Sequence, residues 1–495
     1  MKMRVAGIAA VSVLLCGFVA TQAPKIGMDK PAVEEEVVTA QLKPTMETVI
    51  WEPEQAVGTS RGSEQSELLL PAADYGSIFP YAAAIVGWEQ DGTPVYRYAM
   101  ADAAGELLTK PIYTSVTREA CGDSFVWLMH DSKDGTARTA CAARDGSWAI
   151  GPFVGSVTIQ DSYICVKRAD SDVTLLYNAD GKVIGQVNGE VVSCADGVVV
   201  SRTIGDDATT WYLSSSETAK QITSISAYSV SAFSGGIASV QLSETEWGLI
   251  DTEGVLTNTA ATWQDESCDG YVLAQDDAGN YGVLSADGET AVPFSYMRGV
   301  RCGEEHPLYQ LWTDDETCEV ISAAKGQKMV LPQDLQGQQL KALPDNYFAY
   351  TDADGNTVVF DDLKRVTLEG TAALYQQGDF LIAQEADGYQ IFSMEDRKAS
   401  AQISSYRYVA PTQQAAATDT VFTVIDAETG LQGIGNVNGR LVLRAEYDSI
   451  VSMDGTYFAA MRDGWSGIVD ADGKWVVCTR IAGVNEQGGA DDEVE

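Results

Sequence analysis

The stretch FSGGIASVQLSETEWGLIDTEG, residues 233–254, decides how the chain folds. An apolar run, Ile237 to Val240, gives way to a polar turn. A second run, Trp247 to Asp251, ends on Thr252-Glu253-Gly254. Short apolar runs joined by polar residues and Gly are β-hairpins, because the turn needs a positive φ that Gly tolerates. Outward from this stretch the theme recurs. Tyr271 to Ala274 (YVLA) precedes Tyr281 to Ser285 (YGVLS), which runs into the turn Ala286-Asp287-Gly288. Later, RLVLRAEYDSIV (440–451) supplies a third strand and a fourth.

The turn between second and third strands marks the unit. It falls near residues 105, 146, 181, 219, 254, 288, 326, 364, 396, 439 and 473, giving about eleven units of roughly 37 residues. At such a period each unit buries its apolar face against its neighbours. The expected fold is all-β, a propeller-like repeat architecture over residues 71–484, with an open β-solenoid or superhelix as the alternative. Propellers usually have about 4 to 8 blades. Eleven units therefore suggest either that open stack or two sub-domains, split near 260–275.

The clearest units carry Phe233-Ser-Gly-Gly-Ile-Ala-Ser-Val240 followed by Trp247-Gly248-Leu249-Ile250-Asp251, then Tyr281-Gly282 with Asp287-Gly288 and Pro293, and Trp465-Ser-Gly467 with Asp470 and Gly473. Together with Glu446-Tyr447-Asp448 these resemble the bacterial WG-containing repeat family. The other eight units mostly lack the Trp-Gly pair. The resemblance implies a repeat architecture and brings no catalytic residues, since members are mostly exported or surface proteins of unassigned activity. Physically, the aromatic fills a large volume between units and Gly lets a backbone approach closely. Trp211, Trp247, Tyr281, Tyr389 and Trp465 share that register.

Charge narrows the function. With 71 acidic and 32 basic residues the formal net charge is −39, which argues against binding nucleic acid or an anionic lipid surface. Lys2 and Arg4 precede an apolar run from Val5 to Ala20, so residues 1–23 read as an export signal. Three fates stay open. Ala23 offers a cleavage site but is followed by Pro24; an uncleaved segment would be a membrane anchor; Cys16 suggests a lipid anchor, with Leu15 against it. Residues 24–70 read as an acidic, disordered spacer and 485–495 as an acidic tail.

Candidate chemistry is sparse. Gly58-Thr-Ser-Arg-Gly62 matches a hydrolase elbow but lies in the spacer, with no strand-to-helix turn around it. Gly433-Ile-Gly-Asn-Val-Asn-Gly439 sits in a hairpin and has one residue too many for a dinucleotide fingerprint. Asp352-Ala-Asp354-Gly355 and Asp470-Ala-Asp472-Gly473 lack the glutamate that closes a calcium loop, and hairpin turns use Asp and Gly for backbone reasons. No two of the nine cysteines form a C-x-x-C pair, and Cys121, Cys194, Cys268 and Cys302 recur in one register as small buried fillers. His130 and His306 stand far apart with no mark of a general base. No catalytic residue, cofactor or metal is therefore expected.

Trp88, Trp263 and Trp312 fall outside the packing register and are the candidate ligand-stacking aromatics. The expected function is that of an exported, envelope-associated, non-enzymatic protein that binds an unknown protein or a cell-wall glycan through its β surface. The alternatives are a glycan-binding or glycan-cleaving surface protein, and a structural spacer or envelope-assembly factor.

Overall fold

The computed structural model describes residues 75–480, apart from 90–92, 134, 206–207, 303–305, 330, 332–334, 336–337, 344–346, 353, 361–364, 369–372, 378, 401 and 411–419. The expectations for residues 1–70 and 485–495, and for Cys16, lie outside them.

Among the described residues the chain is all β, with ten four-stranded antiparallel sheets and one two-stranded hairpin. Each sheet is a meander whose four strands pair in chain order. Among the described residues no ladder passes from one sheet to the next, as an open solenoid would require. These are propeller blades: blade 1 covers residues 115–153, blade 2 155–188, blade 3 190–226, blade 4 229–258, blade 5 263–296, blade 6 298–329, blade 7 341–368, blade 8 373–399, blade 9 406–447 and blade 10 449–480.

Two details of the expected unit change. The marker turns join third and fourth strands, because blades open on strands as short as Ser229–Val230 and Trp263–Gln264, too brief to show a pattern. For the same reason residues 440–451 divide: Leu441–Tyr447 closes blade 9, and Ser449–Ser452 opens blade 10. The eleventh unit is the hairpin Ile78–Trp88 and Pro94–Asp102, in which two isolated bridges, Ala101 to Leu107 and Tyr98 to Tyr113, stand where a fourth strand would be.

The turn after the third strand has a chemical origin. In blade 4 the Asp251 carboxylate accepts the backbone N–H groups of Glu253 (3.1 Å) and Val255 (2.8 Å), while Gly254 donates to the Asp251 carbonyl (3.0 Å). Asp470 repeats this with Asp472 and Lys474, Asn436 with Asn438 and Arg440, and Asp102 with Ala104 and Glu106. A short side-chain acceptor tying up the turn's own donors explains why Asp or Asn ends the strand.

The glycine of the Trp-Gly pair is explained just as locally. A β-carbon on Gly282 would lie 2.8 Å from the Val292 carbonyl oxygen, and one on Gly248 2.9 Å from that of Thr257. Gly433 meets Leu443 and Ala445 in the same way. The backbone that approaches is therefore the blade's own fourth strand, not a neighbouring unit. In blades 5, 9 and 10 that strand is bulged against the third.

The chain divides into two compact units: residues 153–402 with 120–124, and the remainder. Residues 260–275 lie inside the former. In the unit holding both chain ends, the N-terminal hairpin packs on blades 1 and 10 through Phe79, Tyr81, Met100, Trp127, Ile468 and Val477. In the other unit, each pair of neighbouring blades shares a core. Trp211, Phe233 and Ile250 join blades 3 and 4; Leu273, Val283, Tyr309 and Leu311 join blades 5 and 6. Central strands are thus covered on both faces, which is why Trp247–Asp251 buries three consecutive residues instead of alternating.

Candidate interaction surface

In a four-stranded meander the start of strand one, the loop between strands two and three and the end of strand four lie at one edge. The two outer hairpins lie at the other. Links between blades are short: Met297 alone joins blades 5 and 6, and Ala227 and Tyr228 join blades 3 and 4. The linked edges of consecutive blades therefore share a face, here the link face.

Hydrogen bonds fix equivalent positions on it. The backbone N–H of Tyr228 donates to Gln241 O (2.8 Å), that of Thr262 to Gln275 O (2.8 Å) and that of Met297 to Trp312 O (2.9 Å). Tyr228 is 61% exposed and Met297 59%, and Trp263, one residue past Thr262, is 36% exposed. Ile204, at the end of a second strand, is 70% exposed on the same face of blade 3. Between strands two and three lie loops 242–246, 276–280 and 313–317. They carry Glu244, Glu246, Asp276, Asp277, Asp314, Asp315 and Glu316 and no Lys or Arg. Backbone N–H groups, Asn280's for Asp276 and Thr317's for Asp314, hold both carboxyls below the usual range.

The three tryptophans chosen from the sequence meet different fates. Trp88 ends the first hairpin strand and is 40% exposed. Trp263 is 36% exposed and meets Tyr281 in a T-shaped contact, centroids 6.0 Å apart. Trp312 is core, only 2% exposed, with the Arg298 guanidinium 3.7 Å from its ring centre, and so has no face left for a ligand. Tyr228, Met297 and Ile204 were missed, because their exposure follows from where the short first strands begin.

Other candidate groups are absorbed by local structure. The Asp352 carboxylate accepts the N–H groups of Asp354 (3.0 Å) and Asn356 (2.8 Å), so its oxygens serve the turn. Cys121, Cys194, Cys268 and Cys302 are buried as expected. Burial pushes the Cys121 thiol up to about 11 and that of Cys302 up to about 12. Cys165 is raised by its hydrogen bond with Cys194 and by burial. His130 is half-buried, its Nδ1 3.2 Å from the Thr139 hydroxyl, and burial lowers its pKa; His306 is exposed.

No protein-family model and no curated protein matches the chain. Among solved structures it is similar to BamB from Moraxella catarrhalis, at 12% identity and a TM-score of 0.29 over 57% of this chain and 93% of that one. It is also similar to a eukaryotic initiation factor, at 10% identity and a TM-score of 0.38 over 74% and 94%. AztD from Citrobacter koseri follows, at 12% identity and a TM-score of 0.25 over 59% and 96%. Likenesses this distant carry no argument about function, and the fold rests on the strand pairing above.

Proposed function

We propose that this protein is a non-enzymatic binding scaffold that holds another protein against the exposed loops of its blades. The observation that carries the reading is the contrast between interior and edge. The blades are packed solid, while large apolar side chains such as Tyr228 and Met297 stand in solvent at the links. Several apolar groups exposed along one face are a mark of an interaction surface. In the same reading the chain is a WG-type repeat protein. The basic-then-apolar start, Lys2 to Ala20, exports it and leaves it anchored at, or released beside, the cell membrane.

The test is cross-linking of the tagged full-length chain in its own cells, followed by recovery at high salt. A discrete protein adduct is expected. Recovery with wall polysaccharide alone would replace this reading with glycan binding, which the open rings of Trp88 and Trp263 favour; a neutral oligosaccharide would then quench Trp fluorescence. Shortening of an added oligosaccharide by the purified chain would make it an enzyme. Absence of any adduct would leave the spacer role.

A further inference from the structure

The link face of blades 4 to 6 combines two features found on different parts of the chain. Tyr228, Trp263 and Met297 form a row of exposed apolar groups in near-equivalent positions. Seven carboxylates in the adjoining loops flank that row without a base among them. The other edge of the same blades is acidic too, with Glu253, Glu266, Asp269, Asp287 and Glu289 exposed, but it also carries bases: Lys325 stands in its turn 323–326, Lys328 on the last strand pairs with Glu319, and Arg301 stands 3.8 Å from Glu266. On the link face of these blades Arg298 lies over the Trp312 ring, and in neighbouring blade 3 Arg202 lies over the Trp211 ring, 3.9 Å from Glu190.

We infer that the link face of blades 4 to 6 is a docking surface for a Lys/Arg-rich polypeptide segment with apolar residues at intervals, Tyr228, Trp263 and Met297 taking the apolar side chains and the loops at 242–246, 276–280 and 313–317 taking the cations. This rests on the protein-binding reading above and names its partner's chemistry. Three physical points support it. Apolar groups at the centre of a patch supply the burial, and charges at its rim speed encounter and exclude wrong partners. A polyanion such as nucleic acid or an acidic lipid surface is repelled by the same carboxylates. The row's spacing also suits an extended chain. Sheets packed face to face lie roughly 10 Å apart, and a polyproline-II segment advances about 3.1 Å per residue with three residues per turn, so every third side chain of such a partner points the same way and meets the next blade.

The test uses the full chain and a fluorescein-labelled peptide of about five Lys-Lys-Leu repeats, read by anisotropy at roughly physiological salt. Companion peptides replace Lys by Glu, or Leu by Ser. The wild-type chain should bind the Lys-Lys-Leu peptide and neither companion comparably. Tyr228→Ser and Met297→Ser should each weaken binding about 5-fold or more, the range of a side chain that matters at an interface. Asp277→Asn with Asp315→Asn should weaken it and flatten its salt dependence. Val183→Ser and Val255→Ser remove equally exposed apolar groups at the opposite edge and should leave it unchanged.

Because a net charge of −39 attracts any polycation, the variants decide the matter. Equal binding of the Lys-Lys-Ser peptide, or equal loss in both pairs of apolar variants, would overturn the docking surface. So would failure of the wild-type chain to bind the Lys-Lys-Leu peptide. The broader reading would survive each of these if the cellular cross-link to a protein persists, and falls only if that cross-link is missing.

Discussion

Gly467→Ala isolates what the glycine of the repeat motif does. Gly467 sits on the third strand of blade 10, two residues after Trp465, and its φ is not in the left-handed region, so Ala is acceptable to the backbone. Space is the obstacle. The new β-carbon would run into the Val477 carbonyl oxygen and lie 2.7 Å from Cys478 Cα, closer than real β-carbons come. Both are main-chain atoms, so no side chain can swing away. Relief requires the fourth strand to retreat, which breaks the pairing of Gly467 with Cys478 and Ile468 with Val477. Overpacking of this kind costs about 1–3 kcal/mol, and a backbone obstacle places it near the top of that range. A cost of about 3 kcal/mol is roughly two decades in the local opening equilibrium. Native-state hydrogen exchange on peptides spanning 457–480 reads this directly. Exchange there should accelerate by about a hundredfold, while Gly87→Ala, which meets nothing within 4 Å, should leave the N-terminal hairpin as protected as before. Wild-type protection in Gly467→Ala would refute the claim that the motif glycine exists to admit its own fourth strand.

Trp211→Phe removes a buried indole donor bonded to the Ala227 carbonyl at 3.0 Å, and should cost about 1–3 kcal/mol more than Trp247→Phe, whose indole N–H has no protein partner; urea midpoints of the two variants check the order. Arg138→Ala leaves Asp131, 7% exposed, without the guanidinium that grips its carboxylate across the hairpin of blade 1, and should destabilise that blade by about 3–5 kcal/mol, read by exchange over residues 124–143. Raised thiol pKa values make stability fall in alkali. The contributions of Cys121 and Cys302 are whole below the ordinary thiol value near 9.0 and are lost as pH rises through about 11 and about 12. The urea midpoint should therefore drop above pH 9, and a midpoint flat from pH 9 to 11 would contradict it. Native-state alkylation at neutral pH should be slow at every buried thiol and fast after unfolding, with half-buried Cys318 the exception.

Much of the blade was legible because its turns announce themselves. Asp251 or Asp470 followed by Gly is a local device, settled by atoms within five residues, and ten of the eleven marker turns fall between third and fourth strands of a blade. What was not legible depends on partners far along the chain. Ser229–Val230 becomes a strand only because Ile237–Gln241 offers it a ladder, and two residues show no alternation to detect. Trp312 looked free since no repeat register claimed it, yet it ends a second strand in the place held by Gln241 and Gln275, and Arg298 across the ladder covers its ring. Burial at that position is decided by a residue fourteen places earlier. No window around Trp312 could show it.

The same distinction separates fold from function here. The motif residues are consumed by the fold itself: Gly248 and Gly282 admit the fourth strand, Asp251 ties its turn, and Trp211 bonds the Ala227 carbonyl in the link to blade 4. Substituting them should change stability and leave recognition alone. Tyr228, Met297 and the exposed loop carboxylates Glu244, Glu246, Asp277, Asp315 and Glu316 have the opposite character, because they stand in solvent, whereas Asp276 and Asp314 also tie their own loops. Trp263 belongs to both sets. It contacts Tyr281, which packs against the core shared by blades 5 and 6, and it pairs with Gln275, the residue before the acidic loop 276–280. A partner that covers Trp263 therefore also loads the seam between two blades. Binding at the link face should accordingly slow exchange in strands Tyr271–Gln275 and Tyr281–Ser285, beneath the docked chain, and not only in the loops it touches.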